Sequence, residues 1–377
     1  HCLLRRQRQM CIRDSPCCSI AEKGAIRIVF LDNLLISFVV RLFQNFVSIL
    51  LLYIYINHMK SQSFWLVKKN KPKILFTDIK YKKNNKSVLV KTLYSGISKG
   101  TERLVANGKV HKSQFSIMRC PFQEGNFNFP IKYGYINVGK IIDGPSSIIG
   151  KIIFTLSPHQ TIFEISIKNI NFIKNNNVKK YLLTANMETA VNIFWDSQAN
   201  KKDKILIIGL GSVGLLTAYY FKLKGYKNLY VTDLNINKKK IAKKLNLNFI
   251  NYSKADDLDC IINTTSSYNV LNDSFAKLNL DGKIIEASWY GNKMGKLSLG
   301  NEFHSKRLKI ISSQVSNIPA HMKKKHNYKT RLKIAIDALS NNLVMSLVNS
   351  DSKFENLEND YISILNNENI IMHGIKY

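Results

Sequence analysis

The stretch KILIIGLGSVGLLTAYYFKLKGYKNLYVTDLN, Lys204 to Asn235, constrains the fold of this 377-residue chain more than any other. Its apolar run ILII has the composition of a strand buried on both faces, and it passes directly into Gly209, Gly211 and Gly214. That spacing, GxGxxG, has a separate physical reason at each glycine. Gly209 makes a tight strand-to-helix turn, Gly211 lets backbone approach a pyrophosphate, and Gly214 lets the helix lie close to the sheet. A helix is expected from about Val213 to Leu223, with Ser212 and Val213 presenting its amide-rich start to the phosphates.

A second strand, NLYVTD, ends in Asp233, about twenty residues beyond the last glycine, where a carboxylate accepts hydrogen bonds from ribose hydroxyls and repels a 2′-phosphate. NAD(H) is therefore favoured over NADP(H). The competing reading is that Asp233 only caps the next helix. Lys238, Lys239 and Lys240 follow closely and are either contacts to a 2′-phosphate or a solvated helix face.

Further strands are expected within DCIINTT (Asp259–Thr265), GKIIEASWYG (Gly282–Gly291) and LKIISSQ (Leu308–Gln314). Strands alternating with helices give an α/β, doubly wound parallel sheet. Ligands of such sheets lie beyond the carboxyl ends of the strands, which places Thr264, Thr265, Ser288 and Trp289 at the nicotinamide half of the site.

The formal charge of +31 invites a nucleic-acid reading. The lysines are scattered, however, and no RNP-like or helix-turn-helix pattern accompanies them; a chain rich in Lys, Asn, Ile, Tyr and Phe reflects AT-rich codons. No nucleic-acid partner is expected.

Residues 1–58 differ from the rest. RRQRQMCIRDS, at positions 5–15, resembles the conceptual translation of a transposase sequencing adapter. The apolar run LFQNFVSILLLYIYI, Leu42–Ile56, reads either as a membrane anchor behind Arg41 or as AT-rich DNA translated in frame up to Met59. Its core is shorter than the ~20 residues of a spanning helix, and the second reading is preferred. Setting this leader aside leaves Cys120 and Cys260, which form neither a zinc spacing nor a disulfide framework, so a cytoplasmic protein without a membrane partner is expected.

SGISKGTERL (Ser95–Leu104), KYGYINVG (Lys132–Gly139), ANMETAVN (Ala185–Asn192), the glycine loop and FHSKRLKIISSQ (Phe303–Gln314) together resemble the medium-chain dehydrogenase/reductase superfamily, alcohol dehydrogenase-like, in its zinc-less branch similar to the bacteriochlorophyllide hydroxyethyl dehydrogenases. The resemblance runs from about Met59 to Tyr377. It implies a Rossmann NAD(P)-binding domain (181–318) inserted in a β-rich, barrel-like (GroES-like) catalytic domain (59–180 and 319–377), and a homodimer formed through the nucleotide-domain sheets. Carried over position by position, the zinc ligands become Ser98, Tyr135 (in Gly134-Tyr135-Ile136) and Ala185, none of them a good zinc donor, so no zinc is expected.

Without a metal, proton transfer needs a positioned side chain. Tyr135 is the first candidate, with Ser98 bonding to the same oxygen and Lys99 lowering the tyrosine pKa; the alternative is that Tyr135 fills the vacated space as a buried aromatic. His159 is read as a proton relay or an exposed loop histidine, and Glu188 as a buried base or a solvated or helix-capping glutamate. Thr189 resembles a family position near the nicotinamide ring. The expected activity is hydride transfer between nicotinamide and a small-molecule secondary alcohol or ketone. An enoyl or quinone reductase and a non-catalytic dinucleotide-binding protein are the alternatives.

Overall fold

The computed structural model describes residues 37–48, 60–79 and 81–377. Residues 37–48 form a helix in a separate unit, and Lys60–Tyr377 form the other. Apart from that helix, the leader read from the sequence lies outside the described residues. Among the described residues no helix is long and apolar enough to cross a membrane.

The glycine loop follows the central strand, Ile205–Ile208, of a six-stranded sheet. In spatial order the strands are Asn248–Phe249, Leu229–Thr232, Ile205–Ile208, Leu258–Asn263, Leu278–Glu286 and Lys309–Ser312, every neighbouring pair parallel. Ile205, Leu206 and Ile207 are fully buried, as the apolar run requires of a strand covered by helices on both faces. Each such side chain contributes about 1.5–3 kcal/mol on burial. Strand order reverses between Ile205–Ile208 and Leu258–Asn263, and beyond their carboxyl ends a crevice opens at this switch point.

The remaining strands build a β-rich body. Ser87–Ile97 pairs antiparallel with Asn137–Asp143, with Ile162–Ser166 and with Met372–Lys376. The last of these closes the body with a strand from the far side of the parallel sheet, so the Rossmann sheet is an insertion within the barrel-like domain. The helix Thr184–Ser197 buries Met187, Ala190, Val191 and Ile193 in the core shared with Ile205 and Ile207. It carries its first turn to the crevice.

Candidate active site

A cleft of 1670 Å³ runs from Asp233 and Tyr252 at one end to Ser98, Cys120 and Tyr135 at the other. At the first end the glycines do what their spacing requires. Gly209 has φ +94°, and a Cβ on Gly214 would stand 1.9 Å from the Gly209 carbonyl oxygen, so only glycine fits there. Around Gly211 no heavy atom lies within 4 Å of a Cβ position, leaving room for a phosphate at the start of the Ser212–Leu223 helix, where Ser212 and Val213 also line the cleft.

Asp233 is half-buried at the end of its strand. Its Oδ2 accepts from the Leu210 amide at 2.6 Å and its Oδ1 from the Asn235 amide at 2.7 Å, which fixes the carboxylate between the glycine loop and its own turn. Its outward lone pairs are left to the cleft it lines.

Thr264, Thr265 and Ser288 line the same cleft, but their hydroxyls also brace it. Thr264 Oγ1 donates to the Gly209 carbonyl at 2.8 Å, and Ser288 Oγ accepts from the Ser266 amide at 3.0 Å. Of the three lysines, Lys238 is buried, donates to the Glu368 carbonyl at 2.7 Å and has its pKa lowered by burial. Lys239 is exposed and lines the cleft, while Lys240 lies on the solvated helix face.

At the other end Ser98 precedes the Lys99–Ala106 helix. Its backbone N–H donates to Glu102 Oε1 at 2.8 Å and its Oγ accepts from Asn186 Nδ2 at 3.1 Å. Tyr135 lines the cleft beside it, as do Ala185, Cys120 and Thr189, whose hydroxyl donates to the Ala185 carbonyl at 3.1 Å. Burial pushes the Tyr135 phenol up to about 12, partly opposed by hydrogen bonding to Ser98 and Thr101.

Lys99 does not act on Tyr135 as expected. Its Nζ donates to the carbonyls of Ile370, at 2.8 Å, and Asn367. Burial, with the Lys238 and Arg103 charges behind it, brings its ammonium down to about 8.

His159 is neither an exposed loop histidine nor a residue of the cleft wall. It is 0% exposed, with Nδ1 2.8 Å from Ser95 Oγ and Nε2 3.2 Å from Glu102 Oε2. Tyr361 Oη donates to the same Glu102 oxygen at 2.9 Å, and Ser95 Oγ continues to Tyr377 Oη at 2.9 Å. Burial and then the Glu102 charge hold the Tyr361 phenol well above its usual value. This buried network reaches Ser98 through its backbone N–H on Glu102 and packs against Gly134.

Glu188 meets the burial that a base would need, but its carboxylate is paired. It is buried, and Oε1 lies 3.1 Å from both Nε and Nη2 of Arg331, itself 2% exposed. Arg331 Nη1 donates to Asn192 Oδ1 at 2.6 Å and Nη2 to the Val315 carbonyl. Burial raises the Glu188 pKa and Arg331 opposes it, so the carboxylate serves this guanidinium instead of standing free as a base.

Sequence reasoning missed Asn186 and Arg331. For Arg331 a signal existed: an arginine beside Leu332 and near Ala335, on the buried face of the Tyr328–Ala338 helix. Among the described residues no group of three or more His, Cys, Asp or Glu side chains is placed to hold a metal ion.

No protein-family model and no curated protein matches the chain. Solved structures do. An alcohol dehydrogenase from Escherichia coli CFT073, described as short chain and complexed with NADH, is similar at TM-score 0.66 and 16% identity, covering 84% of this chain and 99% of its own. The 2R,3R-butanediol dehydrogenase of Bacillus subtilis is similar at TM-score 0.64 and 13% identity, over 84% of this chain and 99% of its own. Haloferax mediterranei glucose dehydrogenase, in complex with NADP, Zn and gluconolactone, is similar at TM-score 0.63 and 16% identity, again over 84% and 99%. At these identities the similarity is one of fold: the chain has the Rossmann-plus-barrel fold of the alcohol dehydrogenases.

Proposed function

We propose that the chain is a zinc-independent, nicotinamide-dependent oxidoreductase of the medium-chain type that interconverts a ketone and a secondary alcohol, with NAD(H) preferred over NADP(H). The observation that carries this reading is a single cleft joining the glycine loop and Asp233 to Ser98 and Tyr135. Gly209, Gly211, Gly214 and Asp233 would hold the dinucleotide, which when bound supplies or accepts the hydride. Structures solved with NADH and with NADP in the same fold support that assignment.

Zinc independence rests on donor chemistry. Ser98, Tyr135 and Ala185 offer no thiolate or imidazole, and His159 and Glu102 are committed to each other behind the wall. What remains at this end of the cleft is a pair of neighbouring hydroxyls, those of Ser98 and Tyr135.

A phenol with its pKa near 12 stays protonated at neutral pH, which suits a proton donor to a carbonyl oxygen better than a base for an alcohol. In the reducing direction the Tyr135 hydroxyl gives its proton to that oxygen while Ser98 Oγ–H steadies the developing charge. Lys99 and Glu188 hold neighbouring backbone and Arg331, and take no proton from the substrate.

We also assign a homodimer through the sheet edge. Lys309–Ser312 is an outer strand with partly exposed Ile310, and Met294 nearby in sequence is 95% exposed. Among the described residues the two free thiols, Cys120 and Cys260, suit a reducing cytoplasm.

The test is a titration of the full chain with NADH and with NADPH, following nicotinamide fluorescence, alongside elemental analysis for metal. Tighter NADH binding by metal-free protein that reduces ketones is the expected result. NADPH preference points to an enoyl or quinone reductase, and binding of neither by folded protein overturns the assignment.

A further inference from the structure

The last strand of the parallel sheet ends at Ser312, and the chain from there to Ser316 continues as part of the cleft wall. The glycine loop serves the first half of such a sheet; this stretch lies in the second half, where the nicotinamide is held. Its last bond to the neighbouring strand is that of the Ser313 amide to the Glu286 carbonyl, at 3.0 Å. Beyond it, side chains take over from the ladder.

Asp196, on the Thr184–Ser197 helix, accepts from Ser313 Oγ at 2.6 Å. Arg331, on the Tyr328–Ala338 helix, donates from Nη2 to the Val315 carbonyl, and the following amide, that of Ser316, donates to Gln314 Oε1 at 2.8 Å. The Val315–Ser316 peptide is therefore held at both its oxygen and its nitrogen, which sets the plane of the wall.

Arg331 is itself fixed. Its Nε and Nη2 lie 3.1 Å from Glu188 Oε1, and its Nη1 donates to Asn192 Oδ1 at 2.6 Å, so the planar fork is held along two edges before it reaches Val315. An ion pair so deeply buried is a poor source of stability, because desolvation of both charges offsets most of their attraction and an apolar pair of the same volume often does as well. What the pair supplies is direction.

We propose that Arg331 is a positioning residue for the nicotinamide ring: paired with Glu188, it fixes the Val315–Ser316 peptide and with it the wall against which the ring stands. The inference rests on the dinucleotide-binding reading above and adds a residue to it. Arg331 acts through backbone and takes no proton. A lysine would keep a charge beside Glu188 but lose the fork, and the Val315 carbonyl would be released.

The experiment is calorimetric titration of the full chain with NADH and with ADP-ribose, which lacks the nicotinamide. The wild type is expected to bind NADH about 10-fold more tightly than ADP-ribose. In Arg331→Lys that preference falls to about 3-fold or less while ADP-ribose affinity holds, the loss of one hydrogen bond. The double variant Glu188→Leu with Arg331→Met leaves no buried charge unpaired, so it serves if the lysine variant does not fold, and the same fall is expected of it. A merely structural role would lower the unfolding midpoint or weaken both ligands alike, and would leave the ratio where it was.

Three results overturn the proposal in protein that binds NADH: a wild type without preference, a preference kept in the folded variants, or parallel weakening of both ligands. No NADH binding by folded wild type defeats the dinucleotide reading itself.

Discussion

The imidazole of His159 occupies the space that a side chain on Gly134 would need: a Cβ there would come within 2.9 Å of His159 Cδ2 and Nε2. Gly134 also has φ +121°, a conformation costly for any other residue. Gly134→Ala is expected to destabilise the fold by about 2–4 kcal/mol, through backbone strain and displacement of the buried His159. Urea unfolding of variant and wild type measures this, and an unchanged midpoint would mean that the ring moves aside freely.

Gly214→Ala is expected to displace the Ser212–Leu223 helix and weaken NADH binding by about 100-fold or more. The added methyl cannot coexist with the Gly209 carbonyl 1.9 Å away, and the helix must retreat from the loop. Asp233→Asn tests the neighbouring contact differently. Removing its charge is expected to narrow the NADH-over-NADPH preference by about 10-fold, since repulsion of the 2′-phosphate is lost. Fluorescence titration with both dinucleotides reads both effects.

For Tyr135→Phe, a loss of about 10²- to 10⁴-fold in kcat for ketone reduction is expected, with NADH affinity unchanged. Because burial holds the wild-type phenol near 12, the Tyr135-dependent step of reduction should show no titration between about pH 7 and pH 10. A fall in rate following a group of pKa near 8 would instead implicate Lys99, whose ammonium is lowered to about 8.

His373 gives an acid limb to stability. Its ring nitrogens lie 2.9 Å from Ser350 Oγ and 3.0 Å from Ser352 Oγ, and burial lowers its pKa to about 4 from the ordinary 6.5. Below pH 6.5 the unfolded chain takes up a proton that the folded protein refuses until about pH 4. The stability held above 6.5 is therefore lost as pH falls through that window, on the order of 3 kcal/mol. His373→Gln should flatten the limb in denaturant titrations at stepped pH.

What the sequence made legible is what is local in it. Gly209, Gly211, Gly214 and Asp233 belong to one strand–turn–helix–strand unit, so their spacing already states a geometry. The substrate end is assembled from afar. Glu102 meets His159 and Tyr361 only after the barrel strands pair, and Glu188 meets Arg331 only once the Tyr328–Ala338 helix docks on the Thr184–Ser197 helix. Reading Lys99 as a partner of Tyr135 followed chain proximity to Ser98, whereas the ammonium reaches carbonyls near the end of the chain. A single sequence carries no mark of such encounters.

The grip on that segment has a mechanical meaning. Lys99 comes from the barrel-like body and Lys238 from the Lys238–Lys244 helix beside the parallel sheet, and both donate to carbonyls between Asn367 and Ile370. The segment, whose Glu368 and Ile370 line the cleft, is thus held twice by Lys99 and once by Lys238. Lys99 and Lys238, both lining the cleft, therefore pin one short segment of the chain's end from two different parts of the fold.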